Sequence, residues 1–454
     1  MRSIIHEQLP LVSRIFEHEH ARELEQISHV LDELGPELTS LIHQDLIRGL
    51  RNPEKGRKGL SAEQVLRILV IKQLKQYSYE QLTFHLGDSM SYRRFCRLGI
   101  CDKTPSKGAI NRDLKRISEE SMEAINKTLL EYCIEKKIET GEKVRTDCTV
   151  EETNIHAPSD SSLLWDCIRV LTRIMQRVKE ELMEIDFVDH RRIGKRRYRA
   201  IQHSAKESQR KHLYRDLLKA TVKTANSAQK AAEELKGYKT DSIIRSLFAS
   251  ELSSQLKHYV SLTLRVINQT TNRVMYGQRV ESKEKIVSIF EPHTDIIIKA
   301  RRETLYGHKL CLSTGRSGMV IDCAVLDGNP SDSTIAVEMI ERVKETYNKY
   351  PRQVSFDGGF ASQENLNTLK SLGIEDVVFN KKRSLEETQM ARTSWIYRSL
   401  TRFRAGIEST ISFLKRCFGI DRCMWRGFDS FRTYTLGSVV AYNLLIIARH
   451  QLKQ

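Results

Sequence analysis

The sequence predicts a mixed α/β core, interrupted by a large all-helical insertion and preceded by an all-helical N-terminal region. Three observations predict it. Between Pro158 and Pro292 there is no proline and only Gly194, Gly237 and Gly277, so roughly 130 residues so poor in helix breakers must form mostly long helices. Strand-like apolar runs stand on both sides of that block, spaced by shorter helical segments. Apolar residues at three- and four-residue spacing dominate the first 135 residues.

The elements follow in order. Residues 1–58 read as a helical segment: Leu24, Ile27, Leu31 and Leu34 share a face, Gly35-Pro36 breaks the pattern, and Leu38, Leu41, Ile42 and Leu46 resume it. A turn-rich basic stretch, 51–59, leads to a helical domain expected over 59–135. There Ser61 with Gln64, and Ser78 with Gln81, spell two capping boxes. Thr104-Pro105-Ser106 opens a further basic helix over 107–116. Short capped helices ending in a basic one suit a helix-turn-helix reader of DNA, and an all-helical packing domain fits the same pattern.

The α/β core is expected over 136–454, with the insertion at about 160–290. Strands are predicted at 143–147, 295–300, 308–312, 318–326, 353–357 and 374–379, and helices at 332–347 and 362–372. Three strands, a helix, a strand, a helix and a strand make a mixed sheet, which the insertion enters after its first strand.

Charge is distributed unevenly. The formal net charge is +16. Residues 191–230 hold 13 Lys/Arg against 2 Asp/Glu, 381–426 hold 11 against 4, and 89–116 hold 8 against 2. These segments sum to +24, so the other 340 residues carry −8. Basic clusters on a mildly acidic chain favour a long polyanion over a membrane surface or a small acidic substrate. The longest apolar run, Leu436 to Ala448, is interrupted by Asn443 and falls short of the about 20 residues of a membrane span. No signal peptide precedes the mixed-charge start, so a cytoplasmic protein is expected. Nine cysteines without a Cys-x-x-Cys pair argue against a disulfide framework or zinc site.

Two aspartates, Asp147 and Asp357, stand at predicted strand ends, and Asp357 is followed by Gly358-Gly359, which would let the chain turn sharply. Glu408 lies in a helix among Arg402, Arg404, Lys415 and Arg416. Hard carboxylate oxygens suit Mg²⁺ that also takes substrate phosphate as a ligand. Two ions roughly 3.5–4 Å apart would serve an in-line phosphodiester displacement. Asp322, Asp327 and Asp332 compete for the second position; Asp322 falls mid-strand, while Asp327 and Asp332 fit a turn and a helix cap. Asp160 reads as the cap of the helix after Pro158-Ser159, and Asp166 as a residue on that helix. His156 and Trp425 read as structural first, with a catalytic histidine and a base-stacking ring as the rival readings.

These residues resemble a bacterial insertion-sequence transposase of the DDE class, close to the ISNCY type. The signature Tyr-x2-Arg-x3-Glu-x6-Lys is matched by Arg404, Glu408 and Lys415, with Thr401 at the tyrosine position, so that ring's contact is not carried over. The stretch from Thr146 to Asp160 and on to Asp166 resembles the first-aspartate region, Ser355–Phe360 the second, and residues 60–116 the helical DNA-binding region. The resemblance implies an RNase H-like core with Asp147, Asp357 and Glu408 as catalytic Mg²⁺ ligands, two ions with Mn²⁺ able to substitute, and Arg404 and Lys415 on the DNA strand. Further DNA contacts are expected from Lys107, Arg112, Arg191, Arg192, Lys195, Arg196 and Arg197. The expected activity is binding of terminal inverted repeats in double-stranded DNA, metal-dependent cleavage, and transfer of the freed 3′-hydroxyl into target DNA. A homodimer or larger assembly would pair two ends, without a membrane partner, in the bacterial cytoplasm at the nucleoid. The rivals are an RNase H-like endonuclease that does not join, and a DNA-binding regulator derived from a transposase.

Overall fold

The computed structural model describes residues 4, 18–56, 58–99, 101–299, 303–380 and 384–453. Most of the first 17 residues of the expected N-terminal helical segment lie outside the described residues. So do Arg57 of the basic linker, Ala300 at the end of a predicted strand, and Lys381, Lys382 and Arg383 of the third basic cluster. The chain divides into two compact units, one formed by 1–154 with 307–454 and the other by 155–306.

In the first unit, local sequence signals become helix ends. Ser61 and Ser78 each cap a helix in a reciprocal box with Gln64 and Gln81, opening Ala62–Lys75 and Tyr79–Asp88. Pro36 sits in the first turn of Gly35–Ile47, where its missing N–H costs nothing. Ser106 caps Lys107–Leu114, and Ser118 caps Glu119–Glu135.

The sheet is mixed. β1 (Lys143–Thr153), β3 (Glu303–Thr314) and β4 (Val320–Leu326) run antiparallel, with β1 beside β3 and β3 beside β4. On the other side of β1, β5 (Gln353–Phe356) and then β6 (Asp376–Phe379) add in parallel. A two-residue strand, β7 (Arg422–Cys423), pairs with the end of β1. β2 (Asp295–Lys299) belongs to the insertion unit and pairs with β3, whose residues 303–306 belong there too. β1 continues past the expected end at Asp147 because β3 pairs with it from Arg145↔Thr314 to Glu152↔Gly307. Asp147 is therefore mid-strand.

Two helices complete the site's frame. Asp332–Tyr347 turns Ile335, Met339, Ile340 and Val343 inward. Ser394–Phe418 buries Tyr397, Leu400, Arg404, Ile407 and Leu414, the spacing of one helix face. The last helix, Phe428–Gln451, is long and apolar enough to cross a membrane, yet 89% of its most apolar window is buried inside the protein. It is a core helix: its Asn443 donates to Asn126 and to the Val320 carbonyl while accepting from the Val320 N–H, and its Arg449 pairs with Glu23 at 2.7 Å. N-terminal helices and sheet thus share one hydrophobic core, from Leu24 to Ala448.

The insertion unit carries the long helices Asp160–Glu181, Arg191–His203, Glu207–Glu234 and Ile243–Thr270. Its core runs from Leu163 to Ile289 and uses its own residues. The unit's limits, 155–306, are wider than the 160–290 expected, because it takes in the segment leading through β2.

Candidate active site

β1 alternates its side chains, β5 ends at Phe356, and the Ser394–Phe418 helix lies across them. Ser355 Oγ donates to the Leu400 carbonyl at 3.0 Å, and Arg145 donates to the Phe403 carbonyl at 2.8 Å and to Thr314 Oγ1 at 2.9 Å. The bonds to Leu400 and Phe403 fix the helix against the two strands in the two turns before Glu408. Arg145, with its guanidinium also over the Phe403 ring at 4.6 Å, was not singled out by sequence. Nothing local marks it, since its partners lie 169 and 258 residues away.

The result is a cluster of three carboxylates around one cation. Arg404 Nη2 lies 2.7 Å from Asp147 Oδ2 and 3.3 Å from Asp357 Oδ1, and Nη1 lies 2.6 Å from Glu408 Oε1. Arg404 is buried, Asp147 half-buried, and Glu408 exposed, so the cluster opens to solvent on the helix side. Burial raises the Asp147 carboxyl above its ordinary pKa, opposed by Arg404 and by the Cys148 N–H donating at 2.8 Å; Asp357 and Asp332 push it further up. Three carboxylates against one guanidinium leave an excess of two negative charges when all are ionised. That donor set, hard oxygens only, fits a divalent cation. Their present spacing is set by Arg404: among the described residues no three His, Cys, Asp or Glu side chains close on a common point.

The other acids find different work. Asp322 is held by both ends of Arg342, at 2.7 and 2.8 Å. Asp327 is exposed and 3.5 Å from Arg432. Asp332 does not cap its helix, since Ser331 holds that position. It pairs with Lys309 Nζ at 2.6 Å, and its carboxylate occupies the place a β-carbon on Gly359 would take. Gly359 therefore serves a close approach; neither glycine has a positive φ, and the chain there is a short 3-10 turn, Gly358–Phe360.

Of the expected DNA contacts, Arg404 is engaged with the carboxylates, and Lys415 donates to the Val150 carbonyl of β1 at 2.8 Å. Thr401, at the tyrosine position of the signature, bonds back to the Tyr397 carbonyl. Lys107 is exposed at the start of its helix, and Arg112 turns onto Asp113 at 3.2 Å. Arg191 pairs with Asp189, and Arg197 with Asp216, while Arg192, Lys195 and Arg196 are exposed. In the insertion, His156 lies 3.6 Å from Asp166. Ser159, not Asp160, caps the helix there by accepting from the Ser162 N–H, and Asp160 in its first turn pairs with Arg273 at 3.0 Å. Trp425 is buried edge-on to Tyr434, which is a packing role.

Comparison with known families matches two stretches of the chain. Residues 293–444 match the family described as Transposase DDE domain, which spans Asp357, Arg404, Glu408 and Lys415; Asp147 precedes it. Such a domain implies an RNase H-like core, for which the mixed sheet is suited, and an enzyme of the nuclease and transposase class, with DNA as partner and a divalent metal as the usual cofactor. Residues 12–116 match the family described as Transposase domain (DUF772), and the two matches together indicate an insertion-sequence transposase family. Searches of curated proteins and of solved structures found no match.

Proposed function

We propose that this protein is a DDE transposase of the ISNCY type that binds the terminal inverted repeats of its element, cuts the DNA strand there and joins the freed end to target DNA. The observation that carries the reading is the convergence of Asp147, Asp357 and Glu408 on Arg404. The three carboxylates would hold Mg²⁺, with Mn²⁺ as substitute. When bound, such ions activate the attacking oxygen and stabilise the leaving one.

The chain's own residues do the rest. Burial of Asp147 beside β3 keeps one wall of the site fixed, and the turn after Phe356 holds Asp357 opposite it. Glu408, exposed on its helix, is the carboxylate most able to adjust as DNA arrives. Once its carboxylates are otherwise neutralised, Arg404 is released toward the phosphate of the scissile strand. Lys415, anchored on β1, keeps a positive charge about two turns beyond Glu408 on the same helix. Water attacks the end phosphodiester in line, and the freed 3′-hydroxyl then attacks target DNA at the same carboxylates. Two ends joined in one reaction call for at least a homodimer, working in the cytoplasm.

The test is cleavage and joining of end-labelled repeat DNA with Mg²⁺. Asp147→Asn, Asp357→Asn and Glu408→Gln should each lower both steps by about 10²–10³-fold or more, with DNA binding retained. Near-full activity in any one would overturn the triad. Nicks without joined products would leave an endonuclease, and shifted bands alone a DNA-binding regulator.

A further inference from the structure

Two helices of the insertion carry cations where solvated helices usually mix signs. On Arg191–His203, Arg192, Lys195, Arg196 and Arg199 are exposed on the face opposite buried Gly194 and Ile201. Gly194 lets that helix press onto its neighbour, for a β-carbon there would lie 2.9 Å from Ile168 Cδ1. On Glu207–Glu234, Arg215, Lys219 and Lys223 are exposed at four-residue steps, opposite buried Leu217, Thr221 and Thr224. None of these seven forms an ion pair among the described residues. The acid between the helices, Asp216, is taken by Arg197 at 2.8 Å, which ties the two helices together. Glu207 and Glu234 pair with Lys211 and Lys230 at the two ends of the longer helix.

The stripes contain four like-charge pairs at four-residue spacing: Arg192 with Arg196, Lys195 with Arg199, Arg215 with Lys219, and Lys219 with Lys223. Each such pair weakens its helix. The repulsion is relieved where a polyanion lies along the stripe. Charges at four-residue steps recur about every 6 Å of helix. A DNA strand offers a phosphate about every 3.4 Å of axis, so flexible Lys and Arg side chains each find one within reach. The charges lie along outward helix faces and do not converge, which disfavours a small anion.

We propose that the insertion is a sequence-independent platform for double-stranded DNA, binding backbone phosphates through these two stripes. It rests on the DNA partner of the function proposed above and is independent of the three carboxylates. Contacts of this kind hold and orient a duplex without reading its sequence.

The experiment uses the full-length protein and measures affinity for random-sequence duplex against salt. The triple variant Arg215→Gln/Lys219→Gln/Lys223→Gln should lower the slope of log K against log salt by about 2–3, near 0.9 for each phosphate no longer neutralised. The quadruple variant Arg192→Gln/Lys195→Gln/Arg196→Gln/Arg199→Gln should lower it by about 3–4. Both should melt no earlier than the parent, since repulsion has been removed, and Arg215→Lys should bind as the parent does. An unchanged slope in both variants overturns the platform, as does weakening confined to one DNA sequence. Tighter binding to phosphatidylserine vesicles than to duplex, abolished by the same changes, assigns the stripes to a membrane surface and overturns it too. Asp147→Asn separates the two proposals: it should lose cleavage and keep the parent's salt slope.

Discussion

Arg404 shows how far one residue's role depends on its partners. Its place in the Arg-x3-Glu-x6-Lys spacing suggests a DNA contact, yet its guanidinium serves as the shared counter-cation of Asp147, Asp357 and Glu408. Arg404→Met should lower the melting temperature at low salt, because three carboxylates then face one another unscreened. Mg²⁺ or Ca²⁺ should raise that temperature by more than in the parent protein, and an identical metal-induced shift in both proteins would refute this role. Glu151, four residues after Asp147 on β1, is fully buried and accepts a hydrogen bond from Thr435 at 2.7 Å. Burial pushes its carboxyl up to about 8, against smaller opposing pulls from Thr435 and Lys415. Its folded pKa exceeds the unfolded value of roughly 4.3, so the native state holds a proton that the unfolded chain has lost between those values. This contribution is complete below the unfolded pKa and disappears as pH rises through about 8. Between pH 5 and 8.5 the parent should therefore lose urea resistance relative to Glu151→Gln. Parallel curves would rule the effect out.

At the scale of elements, helix ends were the most legible feature. Ser61/Gln64 and Ser78/Gln81 announce their helices because a capping box is a local chemical device, complete within four residues. β1 was legible only as far as Asp147. Glu151 and Glu152 disguise its second half, and the strand persists because β3 supplies its hydrogen bonds from far along the chain. That pairing depends on Gly307, opposite Glu152: a β-carbon at Gly307 would collide with the Glu151 carbonyl oxygen. Gly307→Ala should cost about 1–3 kcal/mol by forcing the strands apart, measured by chemical denaturation. Cleavage should fall with it, since the same strand carries Asp147. A variant as stable as the parent would show that the pairing tolerates the methyl group.

At the scale of the molecule, two hydrophobic cores divide the chain, one shared by N-terminal helices and sheet and one internal to the insertion. The apolar run Leu436–Ala448 is too short for a span, yet the whole helix Phe428–Gln451 is long and apolar enough for one, and its burial against Leu69, Gln73, Asn126 and Val320 makes it the axis of the first core. The insertion's own core, with Leu163, Leu171, Leu217, Ala228, Leu252 and Val266, predicts that residues 155–306 expressed alone fold to a helical unit. A single sigmoidal loss of helical circular dichroism on heating is the expected result. A gradual, featureless melt would show that the unit needs the rest of the chain.

By itself the sequence determined the helices and most strands, the insertion's helical character, the three basic clusters and the identities of the acids worth testing. Periodicity, caps and composition are local properties, readable within a few turns. Only the tertiary structure decided that Arg404 stands among those acids, that Lys415 is bonded to a β1 carbonyl, and that Asp332 lies against Gly359. Asp147 and Arg404 are 257 residues apart along the chain, and a 2.7 Å approach across that distance leaves no spacing to read. Packing settles which cations are paired, and here it separates Arg404 of the carboxylate centre from the stripes of the insertion, which form no ion pair among the described residues.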